Sequence, residues 1–115
     1  MEQRNFKPFG SISSLTLGGG GIGNVWGETS RKEAIETVNL AYESGINHFD
    51  VAPMYGRGEA EKVVGMALKN KPLEEINITT KCRLGNPKDS KVYDVLNDSL
   101  CRSLETMELE KVNLF

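Results

Sequence analysis

The chain reads as an α/β fold of repeated strand–helix units, and three observations predict it. Strand-like and helix-like segments alternate from Ser14 to Phe115. The strand-like segments start at residues 14, 46, 76 and 111, in steps of 32, 30 and 35. No low-complexity run or interdomain linker separates them. A repeat near thirty residues is what consecutive βα units produce, because each helix must carry the chain back to the same edge of a parallel sheet.

In chain order, Phe6 to Ile12 carries Pro8 and Gly10 and is too short for a βα unit. Ser14–Gly18 (SLTLG) reads as the first strand. Ser30 with Glu33 makes a capping box, Ala34, Ile35, Val38, Ala41 and Tyr42 recur at helical spacing, and Gly45 ends the run. Ile46–Ala52 reads as the second strand. Its helix has Glu59 and Glu61 in the first turn and a stripe of Ala60, Val63, Val64, Ala67 and Leu68, with Lys69 and Lys71 ahead of Pro72. Ile76–Lys81 reads as the third strand, followed from about Lys91 by a helix with Val92, Leu96, Leu100, Leu104 and Met107 on one face. Lys111–Phe115 reads as the fourth. All three helical stripes are expected to pack on the sheet.

Composition excludes several classes. Hydrophobic residues make up 38% and charged residues 26%, ordinary globular proportions. A net charge of −2 gives no basic footprint for nucleic acid or an anionic membrane. No run of about 18 apolar residues exists to span a bilayer, and MEQRNFKPFG lacks a signal-peptide core, so the cytoplasm is the expected compartment. Cys82 and Cys101 stand apart from each other and from any Cys/His cluster, so two reduced thiols are expected and no metal site.

The chemistry concentrates between Gly45 and Lys81. An acid (Asp50), a phenol (Tyr55) and an amine (Lys81) fall at the ends of two neighbouring strands. A phenol gives up its proton more readily when an ammonium group stabilises the phenolate, and a carboxylate keeps that ammonium charged. The three residue types together suit a tyrosine that donates a proton. His48 shares a strand face with Asp50 but lies about 6–7 Å deeper along the strand, which suits a packed interior histidine. Arg57 and Glu59 read as solvated charges. Gly18, Gly20 and Gly23 satisfy the dinucleotide pattern GxGxxG, but Asn24–Thr29 separate them from the helix onset, where a Rossmann unit needs direct entry.

The stretches GINHFDVAPMYGRGEAEKVVGMAL, the TTK ending at Lys81, and RSLETMELEKVNLF resemble the aldo-keto reductases, nicotinamide-dependent carbonyl reductases and alcohol dehydrogenases built on a (β/α)8 TIM-type barrel. The likeness runs from about Arg4 to Phe115. It implies that residues 1–115 are a single incomplete domain, the first three to four βα units of such a barrel preceded by a short N-terminal hairpin. A complete barrel takes roughly 250 residues.

The resemblance also implies roles. Tyr55 is the general acid, tuned by Asp50 and Lys81. Gly18, Gly19, Gly20 and Asp50 lie on the cofactor side, with NADP(H) expected and NAD possible. Trp26 and Tyr55 lie on the side of a small carbonyl or alcohol substrate, although Trp26 could equally be a loop aromatic shielding the core. Gly19 and Gly20 depart from the bulkier pair usual in the family, so no side-chain contact to cofactor is expected there. The run LGGGGIGNVWG suggests the branch of bacterial sugar and pyridoxal dehydrogenases. The family's further catalytic histidine follows its fourth strand in a pattern like LFxLH. The sequence ends at the LF, so the chain by itself is expected to be inactive and to bind nucleotide poorly. A non-catalytic cofactor-sensing or partner-binding subunit on the same fold is the alternative.

Overall fold

The computed structural model describes residues 1–115. An antiparallel hairpin, β1 (Gln3–Phe6) and β2 (Gly10–Ser13), precedes a parallel sheet of β3 (Leu17–Gly18), β4 (His48–Asp50) and β5 (Asn77–Thr79), in that spatial order. Helices α1 (Arg31–Glu43) and α2 (Glu59–Leu68) connect the three strands, and α3 (Val92–Met107) follows β5. The register pairs Leu17 with Phe49, Gly18 with Asp50, and Asp50 with Thr79.

The strands are shorter than the sequence predicts. Ser14–Thr16 lie outside β3, and the expected fourth strand, Lys111–Phe115, is reduced to one parallel bridge between Leu114 and Thr79. Asn113 takes up part of that ladder with its side chain, since its Oδ1 accepts from the Ile78 amide at 2.9 Å.

Strand alternation decides which residues meet the helices. Phe49, Val51 and Ile78 are buried together with Ala34 and Val38 of α1 and Ala60, Val63, Val64 and Leu68 of α2. His48, Asp50 and Thr79 alternate with these and stand on the opposite face of the sheet. The α1 capping box forms as expected: Ser30 Oγ accepts from the Glu33 amide, and Glu33 Oε2 accepts from the Ser30 amide. Gly45 ends that helix region at φ +88°, in the left-handed region that glycine tolerates best.

The α3 stripe is buried as predicted at Met107 and differs elsewhere. Val92, Leu96, Leu100 and Leu104 are half-buried, while Ser99, Ser103 and Met107 are the buried face. The reason is the small surface of α2 at Gly65, which lets the last turn of α3 approach backbone to backbone. A Cβ at Gly65 would lie 2.7 Å from Met107 Cα and closer still to its carbonyl oxygen. Gly65→Ala is therefore expected to destabilise the chain by about 1–3 kcal/mol through overpacking, read as a lower urea midpoint. An unchanged midpoint would show that α3 is not held there.

Asn47 ties the hairpin to the N-terminal ends of the strands. Its Oδ1 accepts from the Ser13 amide at 2.8 Å, and its Nδ2 donates to the carbonyls of Ser11 and Glu75. The hairpin thereby closes the end of the sheet opposite Asp50 and Lys81.

Candidate active site

Asp50 ends β4, and Lys81 lies two residues beyond the end of β5. Their adjacent parallel strands bring both to one rim. Lys81 Nζ donates to Asp50 Oδ1 at 2.6 Å and to the Val51 carbonyl at 2.9 Å. Both side chains are a little over one-third exposed, 38% for Lys81 and 35% for Asp50. Water screens such a pair, so its worth to stability is about 1 kcal/mol or less, and its main effect is orientation.

Tyr55 follows in the turn after β4, and its ring lies under the ammonium, with Nζ 5.1 Å from the ring centroid. The ammonium and the carboxylate meet directly, whereas the phenol approaches them by its ring face only. The phenol hydroxyl makes no hydrogen bond to Lys81 or Asp50, and it is left without a protein partner at the rim.

The glycine-rich run divides into open and packed positions. Gly18 is exposed and has nothing within 4 Å of where a Cβ would stand, opposite Asp50 in the register. At Gly19 a Cβ would meet Val51 Cγ1 at 2.9 Å and the Tyr55 ring at 3.2 Å, and at Gly20 it would meet the Trp26 ring at 2.9 Å. Both are buried, so their lack of a side chain is explained by packing within the protein. At Gly19 and Gly20 the space on the Cβ side is thus taken by the protein itself, and at Gly18 it is open. The turn bonds to itself, with the Gly23 amide donating to Gly19 O and the Val25 amide to Gly20 O. Those amides are not free to cradle a phosphate, and α1 starts only at Arg31, which disposes of the Rossmann pattern.

Trp26 lies on Gly20 and is otherwise 81% exposed, so it does not shield the core. Glu59 departs from the solvated reading. It makes a two-point ion pair with Arg31, at 2.7 and 2.8 Å, which joins the first turns of α1 and α2 and holds the Glu59 carboxyl below the usual range. Arg57 is exposed, as expected. Cys82 and Cys101 are both free thiols.

His48 is held between Thr16 Oγ1 on Nδ1 and Thr79 Oγ1 on Nε2, each at 2.9 Å. Burial lowers its pKa below 6.5; Asp50 acts against the shift and Lys81 adds to it. The unfolded chain takes the proton more readily, so this residue's contribution is complete above pH 6.5 and declines as pH falls below that value. The slope of stability against pH just below 6.5 should flatten in His48→Gln, measured by urea unfolding at several pH values. Equal slopes in the two proteins would contradict this.

Sequence reasoning missed Glu61. It is 2% exposed, and its Oε1 accepts from Thr80 Oγ1 at 2.6 Å, directly beside Lys81. The available signal was its spacing: Glu61, Val64, Gly65 and Leu68 are one helical face, and all are buried.

The strand order, the hairpin and the rim define a class: the opening βα units of a (β/α)8 barrel. The model of the Aldo/keto reductase family matches residues 14–115, and the chain belongs to that family of oxidoreductases. It is 32% identical over 107 residues to L-galactose dehydrogenase of Arabidopsis thaliana, covering 90% of this chain and 33% of that protein. It is 33% identical over 87 residues to the NADH-specific methylglyoxal reductase of Escherichia coli strain K12, covering 76% and 26%. Among solved structures it resembles the holo form of aldo-keto reductase AKR11C1 from Bacillus halodurans, with a TM-score of 0.77 and 25% identity, covering 99% of this chain and 40% of that one. The chain thus spans a quarter to a third of these two curated relatives. No helix is long and apolar enough to cross a membrane.

Proposed function

We propose that the protein carrying this chain interconverts a small carbonyl and an alcohol with a nicotinamide cofactor, and that Tyr55 gives or takes the hydroxyl proton. The observation that carries this reading is the ammonium of Lys81, held by Asp50 and the Val51 carbonyl and set against the Tyr55 ring. A fixed cation beside a phenol stabilises negative charge on its oxygen, and a hydroxyl without a protein partner is free to meet a substrate oxygen. When bound, the nicotinamide ring supplies or accepts the hydride.

The open backbone at Gly18 opposite Asp50 leaves room for that ring, so these two residues are assigned to the cofactor side. Gly19 and Gly20, whose Cβ sides pack within the protein, are assigned with them to the cofactor side through their backbone. Tyr55 and the exposed face of Trp26 are assigned to the substrate side. We assign NADP(H) as cofactor; NAD(H) is the second candidate, since the E. coli relative is named as NADH-specific. A sugar or similar polyhydroxy substrate is consistent with the relative named L-galactose dehydrogenase. Residues 1–115 form the opening part of one barrel domain in this reading, and two free thiols suit the cytoplasm.

The test is turnover of a panel of aldehydes and sugars with NADPH or NADH by the protein carrying this chain. Cofactor-dependent turnover is expected. Cofactor binding without turnover of any substrate would favour the non-catalytic, cofactor-sensing alternative.

A further inference from the structure

Beside the rim, and sharing no residue with the Asp50–Tyr55–Lys81 group, lies a recess of about 280 Å³ between the loops after β4 and β5 and the side of α3. Its walls include Met54, Cys82, Arg83, Val95, Ser99 and Arg102. Two are cationic and none is acidic, in a chain whose net charge is −2.

Arg4 is paired with Glu2 and Arg31 with Glu59, whereas Arg57, Arg83 and Arg102 are exposed and have no carboxylate within 4.0 Å; of these three, Arg83 and Arg102 line one recess. Guanidinium groups lining a common recess without a counter-charge repel one another, and each keeps donors that the protein leaves unused.

Ser99 gives an independent sign. It is 9% exposed, yet its hydroxyl makes no hydrogen bond within the protein. Thr106 on the same helix bonds the carbonyl four residues back, Arg102 O at 2.8 Å, so helical hydroxyls here have that solution available. Ser103 Oγ is wholly enclosed without a partner, but Ser99 lines the recess and its hydroxyl is not enclosed in that way.

We propose that this recess binds a compact oxyanion, a phosphate or a carboxylate group, paired by Arg83 and Arg102 and hydrogen-bonded by the Ser99 hydroxyl. Planar guanidinium groups match the oxygens of either anion, and charge-assisted bonds from two of them offset the cost of desolvating it. The volume suits one such group with its waters and falls just below that of pockets that take whole drug-sized ligands. The site is independent of the catalytic reading above.

Inorganic phosphate titrated into the ¹⁵N-labelled protein that carries this chain, at constant ionic strength balanced with chloride, tests this directly. Saturable shifts are expected at the amides of Cys82 and Arg83 and of Ser99 to Arg102, with acetate in a parallel titration separating phosphate from carboxylate preference. Ser99→Ala should weaken binding severalfold, and Arg83→Gln with Arg102→Gln should abolish it while amide positions remote from the recess stay unchanged. Linear, non-saturating shifts spread over all basic residues, or equal affinity in the double variant, would overturn the proposal.

Discussion

Tyr55→Phe should lower turnover by about 10²–10⁴-fold while leaving reduced nicotinamide binding nearly intact. The substitution is unusually clean here. Phenylalanine keeps the ring that packs on Gly19 and lies under the Lys81 ammonium, and it removes a hydroxyl that bonds to nothing in the protein. Neither fold nor cofactor side should register the change. Steady-state rates with a turned-over aldehyde, set beside a fluorescence titration of NADPH, separate the two quantities. Unchanged turnover would remove Tyr55 from the chemistry.

Lys81→Met is expected to be almost as damaging to rate, about 10²-fold or more, for a different reason. It removes the cation beside the phenol and leaves the Asp50 carboxylate and the Val51 carbonyl without their shared donor. Asp50 is 35% exposed, so water can take up its freed oxygen, and the folded chain should lose only about 1 kcal/mol. Lys81→Arg keeps the charge but not the compact ammonium that reaches both acceptors, and should recover little. Rates measured alongside urea unfolding decide the matter. A rate loss matched by a large loss of stability would make the pair a structural one.

The sequence reveals the repeat, the capping box and the stripes of α1 and α2 because these depend on local spacing. Ala34, Val38, Val63, Val64 and Leu68 are buried where periodicity puts them. It also places Asp50 and Lys81 on neighbouring strand ends, since parallel strands joined by helices fix which ends meet.

What it conceals depends on partners distant in sequence. The buried side of α3 turns on Gly65, 42 residues before the Met107 it meets, which makes a serine face pack more closely than a leucine face. That Gly19 and Gly20 have no room for a side chain depends on Val51, Tyr55 and Trp26, which fill the space beside them. Glu59 looks solvated until α1 brings Arg31 to it. The orientation of Tyr55, ring toward the ammonium and hydroxyl unpaired, follows from the turn geometry after β4, which no spacing rule encodes.

The central claim is that Asp50, Tyr55 and Lys81 act as one device, and a double-mutant cycle on turnover tests it most directly. If the ammonium works through the phenol, Lys81→Met added to Tyr55→Phe should cost little beyond the larger single loss, because nothing is left for the cation to assist. Losses that simply multiply would mean that the two residues act independently, and would contradict the account.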